Sequence, residues 1–169
     1  MDMKKLSVKN GFTLVELLVA ATLIMSVFGS ILALVNYSIY AMSFIRNNLV
    51  ASFLAQEGIE LVIKKRGENW IAGENFNLGL DPGIYEADYV DGLEKLPDLS
   101  EQRSLNFDEN FGYQYGSGQV TDFMRLISVS EVSIDHLKIS SVVSWKSRNK
   151  DFSIVVEDHL YNWFGVESE

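Results

Sequence analysis

Cysteine is absent from the 169 residues. No disulfide can staple this chain, so outside the cytoplasm its domain must be stabilised by a hydrophobic core alone. Proline is scarce at two residues, Pro82 and Pro97, and none lies between Ser38 and Lys65 to break a helix there. Histidine is equally scarce, with only His136 and His159. Neither stands in a Ser-His-Asp, metal-ligand or nucleophile-elbow spacing. Gly116-Ser117-Gly118 lacks the third glycine and the following helix of a phosphate loop. The sequence therefore offers no catalytic constellation and no cofactor or metal motif, and it reads as a non-enzyme. Basic charge is short as well: 14 Lys and Arg stand against 23 Asp and Glu, a net charge of −9. No basic stripe suits nucleic acid, which is not expected as a partner.

What the chain does have lies at its start. A leader with Lys4, Lys5 and Lys9 meets Gly11, and the apolar run Phe12-Thr-Leu-Val-Glu-Leu-Leu-Val-Ala20 begins at once. From Leu17 to Val35 there is no charged residue, and the polar breaks are Thr22, Ser26 and Ser30. That length spans a bilayer as a helix. A secretory signal peptide would have a shorter core with its cleavage site beyond it. Lysines on the N-terminal side place that side in the cytoplasm and everything after about Asn36 outside it. Glu16 is the anomaly. A carboxylate within a membrane helix costs about 2.5–3.5 kcal/mol at mid-bilayer, so a role for it is expected. Thr13-Leu-Val-Glu16 is also a capping-box pattern, and an acid in a first helical turn complements the helix dipole.

The stretch Gly11-Phe-Thr-Leu-Val-Glu-Leu-Leu-Val-Ala20, behind its lysines, resembles the type III signal of bacterial type IV prepilins and type II secretion pseudopilins. Ala55-Gln-Glu-Gly58, Ser144-Trp145 and Leu160 to Trp163 look like minor pilins of the "V" kind. The resemblance implies cleavage after Gly11 by a membrane prepilin peptidase and N-methylation of Phe12. It also implies a salt bridge between Glu16 and the N-terminal amine of a neighbouring subunit. The implied partners are other pilin or pseudopilin subunits, the peptidase, an inner-membrane assembly platform and, before assembly, the lipid bilayer. Major pilins carry a helix-breaking proline where this chain has Ala33, which favours a minor subunit. The alternative function is a membrane-anchored extracytoplasmic binding or adhesion module.

Helical periodicity continues past the apolar run. Met42, Ile45, Leu49 and Phe53 recur at spacings of three and four, and Leu54, Ile59, Leu61 and Ile63 extend the stripe. This face is expected to lie on a sheet. Lys64, Lys65 and Arg66 followed by Gly67 suit a helix end. A helix from Phe12 to Lys65 would measure roughly 80 Å. Gly67 to Gly83 then reads as a loop tied down by Trp70 and Phe76.

Alternation predicts strands over Ile84–Val90, Phe123–Val132 and His136–Trp145, with a polar turn at Lys146–Asp151 and a last strand around Phe152–Val156. Phe111–Tyr115 leads into the turn at Gly116–Gly118. Leu160, Tyr161, Trp163 and Phe164 are expected to pack on the sheet. The fold class is α+β, a long N-terminal helix packed on a C-terminal antiparallel sheet. The divisions are residues 1–11 as leader, 12–35 as membrane and assembly helix, 36–66 as amphipathic helix and 67–169 as loop plus β domain. The acids Asp81, Asp88, Asp91, Asp98, Asp108 and Glu109 lack EF-hand spacing and read as a solvated surface rather than calcium ligands.

Overall fold

The computed structural model describes residues 11–163. The expectations for the leader up to Asn10 and for Phe164 lie outside that range. One helix, α1 (Leu14–Ala72), precedes seven strands: β1 (Gly83–Asp88), β2 (Gly92–Leu96), β3 (Ser104–Asp108), β4 (Gly112–Gln114), β5 (Gln119–Ser133), β6 (His136–Ser147) and β7 (Lys150–Tyr161). The fold is the expected α+β arrangement. The chain divides into two units, Met1–Ser43 and Phe44–Glu169, with α1 contributing to both.

Within the second unit every strand pairing is antiparallel. β5 is the hub, and its length follows from its neighbours. β3 pairs with its first part and β1 with Tyr85 opposite Ile127 further along, while β6 runs beside it from Met124 to Ser133. β2 and β4 extend β1 and β3, and β7 extends β6. Leu137, Ile139, Ser141, Val143 and Trp145 are all buried on one face of β6, as the alternation predicts. The expected six-residue turn after Trp145 is much tighter. Strand pairing continues to Ser147 opposite Lys150, leaving Arg148 (φ 47°) and Asn149 (φ 65°) as a two-residue hairpin loop.

The helix runs past its expected end. Gly67 lies inside α1, and the helix stops at Ala72. Gly73 (φ 75°) follows, with its N–H on the Trp70 carbonyl at 3.1 Å and the Glu74 N–H on the Asn69 carbonyl at 2.9 Å. That pair of bonds is a Schellman cap. Asn69 is buried and donates to the carbonyls of Phe76 (3.2 Å) and Leu78 (2.8 Å), so it ties the following loop to the helix end. Phe76 is buried as expected, but Trp70 belongs to the helix rather than the loop.

Of the expected helix stripe, Leu54, Ile59 and Leu61 meet the sheet, but its first four residues do not. Met42, Ile45, Leu49 and Phe53 are 75, 65, 55 and 64% exposed. The buried row is Ala51, Leu54, Ala55, Gly58, Ile59, Leu61 and Val62. Within this row the small residues Ala51, Ala55 and above all Gly58 let the backbone approach the strands closely. A Cβ on Gly58 would stand 2.5 Å from Ser141 Oγ and 3.1 Å from Arg125 Cδ. On either side of Gly58 lie two apolar clusters. Ala51, Leu54 and Ala55 pack with Phe123, Val143 and Trp145, and Ile59, Leu61 and Val62 pack with Ile127, Ile139 and Leu160. Between them Arg125 takes a core position on β5. It is fully buried, and it donates to the carbonyls of Leu54 (3.0 Å) and Ala87 and lies 3.5 Å from Glu57. Trp163, expected on the sheet, is 74% exposed.

Candidate processing and assembly segment

The candidate site is the start of α1, and it is built from local chemistry. Gly11 and Phe12 precede the helix and are exposed. Thr13 caps it: its Oγ1 accepts the Glu16 N–H at 3.2 Å, and its carbonyl accepts the Leu17 N–H at 3.1 Å. The capping box is thus half made. Thr13 performs its part, while the Glu16 carboxylate has no hydrogen-bond or ion-pair partner among the described residues. Glu16 is exposed in the first helical turn.

The polar side chains that follow behave differently. Thr22 Oγ1 donates to the Val19 carbonyl at 2.8 Å and Ser26 Oγ to that of Leu23 at 2.8 Å. Ser30 donates to Ser26, Asn36 to Leu32 and Ser38 to Leu34, each at 2.9 Å. Each turns back on the helix's own backbone and needs no water. Around them Leu17, Leu23, Phe28, Leu32 and Leu34 are exposed. This half of α1 is long and apolar enough to cross a membrane, and none of its apolar window is buried. It is compatible with membrane anchoring. Glu16 is the one charged side chain in this half of the helix. A Cβ on Gly29 would meet nothing within 4 Å. At Ala33 the helix is unbroken.

The hydrogen-bonded acids of the second unit hold its own turns and strands together. Asp88 is buried rather than solvated. Its Oδ1 accepts the N–H groups of Val90 (2.9 Å) and Asp91 (2.6 Å), and its Oδ2 accepts that of Tyr115 (2.8 Å). Asp108 repeats the device, accepting from Asn110 at 2.8 Å and Phe111 at 3.2 Å. In both hairpins a glycine four residues on, Gly92 (φ 81°) or Gly112 (φ 76°), closes the turn. These bonds hold the Asp108 carboxyl below its ordinary range, and bonds from Ser100 do the same for Asp98.

Glu86, also buried, accepts the Arg103 backbone N–H at 2.6 Å and Nε at 2.7 Å, while Arg103 Nη2 reaches Glu94 at 2.9 Å. Burial pushes the Glu57 carboxyl above its usual value against the opposing pull of Arg125. It pushes the Tyr115 phenol, which donates to the Arg125 carbonyl at 3.1 Å, far up. None of these residues was legible in the sequence as buried. Alternation along Phe123, Arg125 and Ile127 marks the face, and a charge on a core face is the one signal available. Among the described residues no group of three or more His, Asp or Glu side chains is arranged to hold a metal ion.

Residues 6–32 match the family model described as the prokaryotic N-terminal methylation motif. That segment is a type IV pilin-like signal. No curated protein and no solved structure matches the chain.

Proposed function

We propose that this protein is a structural subunit, a minor pilin or pseudopilin of a type IV pilus-like filament. It is cleaved after Gly11, N-methylated on Phe12 and assembled through the apolar half of α1. The observation that carries this reading is the contrast at the N-terminus. Thr22, Ser26, Ser30, Asn36 and Ser38 are satisfied by their own helix, and Glu16 is not. The methylation motif over residues 6–32 supports this reading. Cleavage would create a free amine at Phe12, and a second copy's amine can neutralise Glu16 within the bundle of helices. The chain starts in the membrane with its N-terminus in the cytoplasm, and the second unit lies outside. Assembly replaces lipid contacts of the exposed apolar side chains with contacts to other subunits.

Two measurements test this. Intact mass of protein co-expressed with a prepilin peptidase should correspond to a chain starting at Phe12 plus one methyl group, and Gly11→Leu should block the cut. A start at Met1, or within 20–33, overturns processing at Gly11. Glu16→Gln should insert and be processed but should enter filaments poorly. Breaking one side of a buried ion pair costs about 3–5 kcal/mol. Parental incorporation of Glu16→Gln would overturn the inter-subunit role and leave Glu16 as a helix-dipole residue.

A further inference from the structure

The two histidines stand 23 residues apart in sequence and meet in space. In the pairing of β6 with β7, His136 lies opposite Tyr161 and Lys138 opposite His159. His136 and His159 are therefore diagonal cross-strand neighbours on one face. It is the face turned away from the core, since the alternating Leu137, Ile139 and Leu160 are buried. His136 Nε2 and His159 Nδ1 are 2.6 Å apart. The His136 ring stacks on Tyr161 with centroids 4.3 Å apart and planes 15° apart, which holds its orientation. On the same face Lys138 is paired with Glu157 at 2.9 Å. That carboxylate offsets the ammonium that would otherwise repel a cation approaching His159.

We propose that His136 and His159 form a two-histidine site for a late first-row divalent transition-metal ion, Cu²⁺, Ni²⁺ or Zn²⁺. Two neutral imidazoles facing each other hold one proton between two ring nitrogens. A metal ion takes that proton's place once the donating ring carries its proton on its outer nitrogen, so each ring presents a lone pair. With metal–nitrogen bonds of about 2.0–2.1 Å, the two nitrogens need to stand roughly 3 Å apart. A small rotation of the exposed His159 side chain provides the difference. Imidazole donors select these ions over Ca²⁺ and Mg²⁺, and the series predicts tightest binding for Cu²⁺. Asp158 is not a third ligand: strand alternation puts it on the other face, and its Oδ1 accepts the His159 N–H at 2.7 Å. Water completes the coordination, which leaves the site open and exchangeable.

Full-length protein in detergent micelles, purified without a polyhistidine tag and stripped of metal, would be titrated calorimetrically with Cu²⁺, Ni²⁺, Zn²⁺ and, as a control, Ca²⁺. The expected result is a single Cu²⁺ site that is lost in the His136→Ala, His159→Ala double variant. Each single variant should weaken it at least about tenfold, because loss of even an outer-shell partner costs that much. Lys138→Ala should leave it intact. Low-temperature electron paramagnetic resonance of the Cu²⁺ complex should show two imidazole nitrogens. This spectrum on the unaltered chain decides the matter even if a variant misfolds. Equal affinity in parent and double variant, fewer than two imidazole nitrogens, or displacement of Cu²⁺ by equimolar Ca²⁺ would overturn the site.

Discussion

The two halves of α1 reverse the ordinary relation between apolarity and burial. Up to Ser43 the helix is nearly all apolar, and its Leu, Ile, Val and Phe side chains are exposed. From Phe44 onward it carries Arg46, Glu57, Glu60 and Lys64, yet this half supplies every buried residue of the helix. Even there Ile45, Leu49 and Phe53 face outward, while Leu54, Ile59, Leu61 and Val62 face the strands alongside the small Ala51, Ala55 and Gly58. Burial is set by which face can approach a sheet, and the closest approach, at Gly58, requires a residue without a side chain. The exposed apolar half has no such partner among the described residues, as expected of a segment whose solvent is lipid or other subunits.

The comparison can be broken from the packed side first. Trp145 is buried against Phe123 (ring centroids 6.1 Å apart) and stacks on Phe152 (5.7 Å). Trp145→Ala should destabilise the second unit by about 3–5 kcal/mol. Urea unfolding of the full chain in micelles, followed by near-ultraviolet circular dichroism, would measure it. A loss below about 1 kcal/mol would show that the cluster around Trp145 does not hold this half of the helix.

Gly58→Leu comes next. Its first added carbon would meet Ser141 Oγ at 2.5 Å, Arg125 Cδ at 3.1 Å and Ile127 Cδ1 at 3.3 Å. A loss of about 1–3 kcal/mol or more is expected from overpacking. The same change at Gly29, where a Cβ meets nothing within 4 Å, should leave the second unit unaffected. Equal effects at the two glycines would erase the contrast between the halves.

A smaller effect follows from Glu57, whose carboxyl is pushed above 4.5 chiefly by burial. A carboxyl with a raised folded value stabilises most when protonated. Its contribution is complete below about 4.5 and is lost as pH rises through the folded value. Glu57→Gln cannot undergo that loss, so its stability relative to the parent should rise as pH increases above 4.5. Urea midpoints for both proteins across the acid range would show it, and a relative stability that falls with pH would reverse the assignment.

The smallest folding effect is expected on the exposed stripe. Ile45→Ser and Leu49→Ser should change the stability of the second unit by no more than about 0.5 kcal/mol, since neither side chain is in the core. If the stripe packs between subunits, filament incorporation should fall while the unfolding midpoint holds. A drop of 2 kcal/mol or more in stability would mean that this stripe packs within its own domain after all.

Part of this molecule is written locally and part is not. The apolar run, the glycine–phenylalanine junction and Glu16 sit within a few consecutive residues, so they are visible without a fold. The alternation of Leu137, Ile139, Val143 and Trp145 likewise specifies a strand with one buried face, because the side-chain period of a strand is two.

Four features depended on partners far away in sequence. Arg125 is tolerated in the core because carbonyls from α1 and β1 converge on its guanidinium. The helix passes Gly67 because Asn69 gains its buried bonds to the loop only if helix and loop fold together. Asp88 is buried because the Tyr115 amide comes to meet it. His136 and His159 become neighbours only through strand register.

The sequence by itself determined the apolar helix, its lone acid and the strand faces, since periodicity and local charge are short-range properties. Only the tertiary structure decided which helix face met the sheet and which polar groups were buried. Those outcomes depend on close approach and mutual hydrogen bonding between segments that are remote along the chain.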